Sequence, residues 1–289
     1  MNLLLQVAIS GALAGGLFAL MAIGLSLTWG MLRVINLAHF ALILVAAYLT
    51  YELASVLRID PLLTVALTVP LMFVLGAAVQ WLFQASRISE FNSLLVSFGI
   101  LIVAIQLVTN HWTADFRSLP AELNPYPRQS VSLGPLALPT HHLLGFGFAA
   151  AIALVGYWVL ERTFAGRALR AFAEDRQIAG AFGIDHNRLA MLLSGVAGAT
   201  AAIAGMLWAV GHSLTPSAAF EWVGLVFAIV IIGGIGNVVG TLVAGALVVA
   251  VFSLVSLVWS PSLAPLVVFS AIVLTLIIRP QGLFARRGA

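Results

Sequence analysis

The sequence predicts an all-α polytopic membrane protein, a bundle of about eight to nine transmembrane helices with a re-entrant or broken element near 221–240. Three observations predict it. First, 62% of the 289 residues are hydrophobic and only 8% are charged, with mean hydropathy +1.11, far from the composition of a soluble domain. Second, the apolar residues fall into runs that match the roughly 20 residues a helix needs to cross a bilayer core. Third, all thirteen basic residues are Arg, and they cluster between particular runs, as the positive-inside rule demands of loops on one side.

Taken in order, the runs are 3–29, 38–56, 62–83, 92–111, 142–160, 189–211, 221–235, 239–259 and 263–278, all read as one domain over 1–289. The opening MNLLLQVAIS lacks the positive region of a signal peptide, so the first run is expected to remain as a helix. Between the first two runs stands RVINLAHF, Arg33–Phe40. On a helix, Asn36 and His39 at i and i+3 share one face, and Arg33 joins them by the same spacing. Two readings stay open: a capping and packing junction, or a polar hinge or gate on a path through the bundle.

The stretch 112–142 is rich in Pro, too short for a folded domain, and expected to be extended and turn-rich, a lid or docking surface. The stretch 161–188, ERTFAGRALRAFAEDRQIAGAFGIDHNR, is polar. From Arg167 on, Ala168, Phe172, Ala179 and Phe182 fall at the spacings of an amphipathic helix, Arg170 and Glu174 pair at i and i+4, and Gly180 and Gly183 allow a bend or an end. An interfacial helix on anionic lipid or a surface for a soluble partner both fit. The run from Phe220 to Trp259 is interrupted only by GGIGNVVG, so 221–235 is a half-span, a re-entrant element or a crossing. Gly236 and Gly240 form G-x-x-x-G, which suits close packing, while a backbone break lining a pathway is compatible with it.

Arg162, Arg167, Arg170, Arg176 and Arg188 share a loop, and Arg279, Arg286 and Arg287 share the tail. With nine crossings these lie on the cytoplasmic side together with Arg33 and Arg87, while Arg58, Arg117 and Arg128 lie outside. The absence of Cys and Lys removes thiolate metal sites, disulfides, Schiff bases and a Walker A loop. The basic pI of about 10 follows from topological arginines rather than nucleic-acid binding. His141-His142 and Asp185-His186 are neighbours whose side chains diverge on a helix, and neither H-E-x-x-H nor G-x-S-x-G occurs. No catalytic or metal site is expected. Among the polar residues in apolar runs, Gln80, His212 and Glu221 are expected at the interfaces.

Four stretches carry a resemblance: GLSLTWGMLRVINLAHF, GRALRAFAED followed by an Ala and G-I-D, IIGGIGNVVGTLVAGAL, and the tail RPQGLF. In this order, over most of the chain, they resemble the membrane permeases of the branched-chain amino acid ABC transporter family. The resemblance implies that Gly166, Arg167, Ala168, Arg170, Ala171, Glu174, Asp175, Ala179, Gly183 and Ile184 form a cytoplasmic coupling segment that docks on an ATPase subunit. On the residues themselves, Arg33, Asn36 and His39 and the glycine break with Gly233, Gly234, Gly236 and Asn237 are the candidates for a translocation path or gate. Implied partners are two ATP-binding subunits, a second, non-identical permease and an extracytoplasmic solute-binding protein; ATP binds to the partners and no cofactor to this chain. The implied location is the bacterial inner membrane, with a cytoplasmic C-terminus and cargo of the branched-chain or related amino acid type. Phe40 departs from the pattern, where a small residue such as Gly is common. The competing reading, a secondary transporter or channel for small organic solutes, needs ionisable residues inside the membrane, and beyond His39 the runs supply almost none.

Overall fold

The computed structural model describes residues 2–134, 136–279 and 281–284. Pro280, Arg286 and Arg287 of the tail lie outside the described residues. The chain forms α1 (Asn2–Leu32), α2 (Ala38–Leu57), α3 (Val65–Ala85), α4 (Glu90–Trp112), the strands β1 (Ser130–Leu133) and β2 (Leu136–Pro139), α5 (Thr140–Arg162), α6 (Phe164–Glu174), α7 (Arg176–Ala181), α8 (His186–Gly211), α9 (Ala218–Gly233), α10 (Val238–Val258) and α11 (Ala264–Ile278). Eight described helices are long and apolar enough to cross a membrane, and α9, with 16 residues, is a shorter apolar one. This is a multi-pass all-α membrane protein, and its helices other than α6 and α7 fall on the nine apolar runs.

Short polar side chains set the helix starts. Ser89 accepts from the Asn92 N–H at the start of α4, Thr163 from Gly166 at α6, Asp175 from Gln177 and Ile178 at α7, Asp185 from Asn187 and Arg188 at α8, and Asn237 from Gly240 at α10. Each satisfies backbone donors that have no partner inside the helix. Three helices end on an arginine in the left-handed region: Arg33 after α1 (φ 58), Arg58 after α2 (φ 51) and Arg87 after α3 (φ 48). Glycine is the usual residue at such ends, so each arginine carries a backbone cost of order 1 kcal/mol.

Helix α1 lies at the centre, antiparallel to α10 and in contact with α5, α8 and α9. Its residues Ala19–Ile23 are fully buried. The most apolar windows of α2 and α8 are 56% and 67% buried, against 17–22% for α3, α4, α5 and α11. The latter helices therefore present apolar faces outward, to lipid or to another subunit.

The bundle has two ends. At one, the α1–α2 junction, the α3–α4 turn, α6, α7, the α9–α10 turn and residues 281–284 meet. At the other, residues 113–134 and 136–139 cover the bundle: Arg117 pairs its backbone with Leu214, and β1 and β2 form an antiparallel hairpin. Helix α9 starts beside Leu214 at this second end and finishes at Gly233, where the following turn packs on Gly30 of α1. It thus joins the two ends rather than returning to its own. Of the two forms open to 221–240, the structure contains the broken one, a turn at 234–237 between α9 and α10.

Candidate functional site

The end that carries most of the arginines also gathers all four stretches that resemble the permease family. Helix α1 stops at Leu32 and α2 begins at Ala38, so 33–36 are not helical. The three-residue polar stripe expected of Arg33, Asn36 and His39 is therefore absent: it presumed a continuous helix, and the left-handed Arg33 breaks it. Each side chain instead takes a separate task. Asn36 Oδ1 accepts from the Ala38 N–H at 3.0 Å and starts α2. His39, 2% exposed, places Nε2 2.9 Å from the Met21 carbonyl and ties α2 to α1. Its ring fits where α1 has Gly24: a Cβ there would come 2.5 Å from His39 Cε1. Arg33 reaches outward, and its guanidinium donates to the Ala173 carbonyl at 3.0 Å, binding the junction to α6. Phe40 is fully buried against Phe227, with ring centroids 6.4 Å apart, so its bulk fills core space.

The glycine turn lies on the other side of the α1 end. Gly234 (φ 88) and Gly236 (φ 83) are left-handed, and Gly236 packs its backbone on Gly30 while its N–H donates to Ser26 Oγ at 3.0 Å. Gly233 is buried against Thr241, so the backbone of α9 meets that of α10. Asn237 has two tasks. Its Oδ1 accepts from Gly240 at 2.9 Å, and its Nδ2 donates to the Phe284 carbonyl at 2.6 Å. The Leu283 N–H donates to the Ile232 carbonyl at 2.9 Å, which fastens the tail to the turn. The run is both a packing element and a backbone break.

Helices α6 and α7 form the outermost layer. They are two helices, because Asp175 turns extended between them and caps the second. The single amphipathic stripe expected from Arg167 onward is thus interrupted: Ala168, Phe172 and Ala179 are buried, but Phe182 is 83% exposed. Arg170 pairs with Glu161 at 3.1 Å rather than with Glu174, since α6 folds back on the end of α5. Gly166 sits against the Val159 and Leu160 carbonyls, so Gly166, Ala168 and Ala179 fix α6 and α7 to their own bundle. Arg167, Ala171, Glu174, Asp175 and Gly183 are exposed and Ile184 is half-buried. Gly183 holds φ 81 in the turn before α8. Between the two helices runs a groove of about 340 Å³, lined in part by Arg167, Ala171, Ile178 and Phe182. Phe164, Ile178 and Phe182 are 74%, 59% and 83% exposed. Apolar side chains so exposed on a polar segment leave an uncovered apolar surface at this end of the bundle.

The opposite end holds features that sequence reasoning missed. His141, His142 and His212 line an enclosed cavity of about 30 Å³, and the rings of the first two lie 4.2 Å apart. Adjacent residues were expected to diverge; they meet here because both sit at the very start of α5. Trp208 stacks on His212 at 4.0 Å. Gln80, expected at an interface, is 7% exposed and accepts from Ser194 Oγ at 3.2 Å. Its position on the inward face of α3 was the only signal. His212 and Glu221 are exposed at their helix ends. Among the described residues, no group of three or more His, Cys, Asp or Glu has the arrangement of a metal site.

Comparison with known proteins is consistent along the whole chain. It is 24% identical to the high-affinity branched-chain amino acid transport system permease protein BraD of Pseudomonas aeruginosa, over 98% of this chain and 96% of that one. It is 25% identical to the permease protein LivH of the corresponding Escherichia coli system over the same shares. A probable branched-chain amino acid transport permease protein of Methanocaldococcus jannaschii is 25% identical over 80% of this chain and 75% of its own. No solved structure matches. Residues 7–278 match the family described as branched-chain amino acid transport system / permease component, and with the four stretches gathered at one end of a multi-pass bundle, the chain belongs to that family.

Proposed function

We propose that the chain is the transmembrane permease subunit of an ABC importer for branched-chain or related amino acids, driven by separate ATPase subunits and fed by a solute-binding protein. The observation that carries the coupling part of this reading is the α6–α7 pair: exposed Phe164, Ile178 and Phe182 around an open groove, tied by Arg33 to the α1–α2 junction. A push on α6 is transmitted through that hydrogen bond to the helix pair at the bundle's centre, where Gly30 and the 234–237 turn leave no slack. Arg33, Asn36, His39, Gly233, Gly234, Gly236 and Asn237 act in this reading as the hinge between coupling surface and path, not as side chains that read cargo.

The arginine-bearing end faces the cytoplasm by the positive-inside rule, which places residues 113–139 outside as the docking surface for the solute-binding protein. The C-terminus is then cytoplasmic and the membrane is the bacterial inner membrane. Two ATP-binding subunits bind ATP, and a second, non-identical permease completes the pathway against the outward apolar faces of this one. The chain itself catalyses no reaction and holds no cofactor. ATP-driven approach of the coupling segments switches the bundle from one accessible side to the other.

The test is reconstitution. The chain is co-expressed with candidate ATPase and permease partners, and ATP hydrolysis and leucine uptake are measured in proteoliposomes. Uptake that requires ATP and all subunits is expected; uptake by this chain alone would remove the reading. Ile178→Asp and Glu174→Arg, both on exposed positions, are expected to abolish ATPase co-purification while the chain remains monodisperse.

A further inference from the structure

A cavity of about 360 Å³ opens between the α3–α4 turn and the start of α8, within the size range of ligand sites, and the transport reading gives it no task. Its apolar wall includes Phe83 and Phe172, both nearly fully buried. Its polar wall includes Gln80, Gln84, Arg87 and His186.

Several of these polar groups are left without a partner. Gln80 is 7% exposed; its amide oxygen accepts from Ser194 Oγ, and its NH2 has no hydrogen bond among the described residues. The His186 Nδ1 is buried and has no partner. The Arg87 guanidinium makes no ion pair or hydrogen bond among the described residues, although its backbone is held at φ 48. Arg87 is exposed, so the cavity offers the free donors of an accessible guanidinium and of the Gln80 NH2 to something that accepts hydrogen bonds. Arg87 is the one charged residue in its described lining, and no carboxylate is present there. A free amino acid would leave its ammonium without a counter-charge, whereas an anion carried on an apolar body satisfies both walls.

The position indicates the source. The turn that bears Arg87 is flanked by Trp81 and Phe91, 59% and 74% exposed, aromatic residues at the end of a membrane helix pair, the depth at which lipid head groups lie. We propose that this cavity binds the phosphate of an anionic membrane lipid, with Arg87 as counter-charge and the Gln80 NH2 as donor. Because Phe172 of α6 forms one wall, the bound lipid also braces the coupling helix against the bundle.

The test uses the purified full-length chain in detergent, incubated with phosphatidylglycerol or phosphatidylcholine and examined by native mass spectrometry, with glycerol phosphate as the soluble arm in a thermal-shift assay. Phosphatidylglycerol adducts should exceed phosphatidylcholine adducts by about fivefold, the effect of one Arg near an anionic head group. Arg87→Gln should remove that preference. Arg58→Gln, an arginine in the same left-handed position at the opposite end, should leave it intact. Equal adducts from both lipids on the unaltered chain, or an undiminished preference in Arg87→Gln, would overturn the proposal. Stabilisation by glycerol phosphate without any preference between the lipids would assign the cavity to a soluble anion and overturn the lipid source.

Discussion

The two ends of the bundle are held together by different physics. At the arginine-bearing end backbones pack directly on one another, Gly30 on Gly236, Gly282 on Gly234 and Leu283 bonded to Ile232, beside the side-chain bonds of Arg33 and Asn237. At the opposite end the contacts are side-chain clamps across a long loop. Trp112 Nε1 donates to Glu52 at 3.0 Å, Tyr126 to Asp60, Asn124 Nδ2 to the Val210 carbonyl at 2.9 Å, and Gln6 both donates to and accepts from Ala137 of the hairpin. Close-packed backbones move as rigid units and transmit displacement, because neither surface can yield. Side-chain clamps can open singly and reclose, which suits a cover that must admit a partner or a cargo. The end rich in arginine is built to transmit, the loop-covered end to yield.

The sharpest way to break this comparison is to insert bulk. Gly30→Leu would drive a side chain into the Gly236 backbone and should cost about 3 kcal/mol or more, read as loss of monodisperse protein in detergent. Gly147→Ala, where nothing lies within 4 Å, should gain up to about 1 kcal/mol of helix propensity in thermal unfolding. Equal tolerance at the two positions would mean that the tight end is not rigid. The next effect in size concerns His39. His39→Ala leaves a void and an unbridged α1–α2 contact, worth about 2 kcal/mol. His39→Gln keeps a donor for Met21 and should lose under about 1 kcal/mol. If transport in proteoliposomes fell in His39→Gln although stability held, the ring itself would take part in the hinge motion; if it fell only with stability, His39 is a strut.

Legibility in the sequence follows the same divide. Backbone contact demands small residues at fixed places, and these write themselves as short motifs: the glycine run, the coupling segment, the junction. The helices were legible because apolar length fixes them. The clamps were not, since Trp112 and Glu52 lie 60 residues apart and Gln6 and Ala137 lie 131 apart, and no local pattern links such partners. Local pattern also misled. Arg33, Asn36 and His39 have helical spacing but no helix beneath the first two, and Arg170 has Glu174 at i+4 yet bonds Glu161. In both cases a chain reversal, decided by tertiary packing, replaced the local geometry that spacing alone assumes.

Loosening the yielding end should have small, local effects. Trp112→Phe removes one hydrogen bond to a carboxylate and should cost about 1.5 kcal/mol, seen as faster hydrogen exchange in 113–129 with the arginine-bearing end unchanged. Faster exchange at both ends would show that the two are one cooperative unit.

Tyr126→Phe should be smaller still, about 1 kcal/mol, and it carries a pH signature. Burial, and then the hydrogen bond and charge of Asp60, push the Tyr126 hydroxyl up to about 12 from its ordinary 10.0. A group whose folded-state pKa is raised stabilises fully below its unfolded value and loses that contribution as pH climbs through the folded one. As far as the tyrosine is concerned, the clamp contributes fully below about 10 and loses that contribution between about 10 and 12, because the opened loop releases the phenol proton there while the clamped one, beside the Asp60 carboxylate, still holds it. Protease nicking within 113–129 should rise across that window in the unaltered chain. In Tyr126→Phe it should start higher and lack that step. A step of equal size in both proteins would assign it to another group and leave the Tyr126–Asp60 contact without weight in holding the loop.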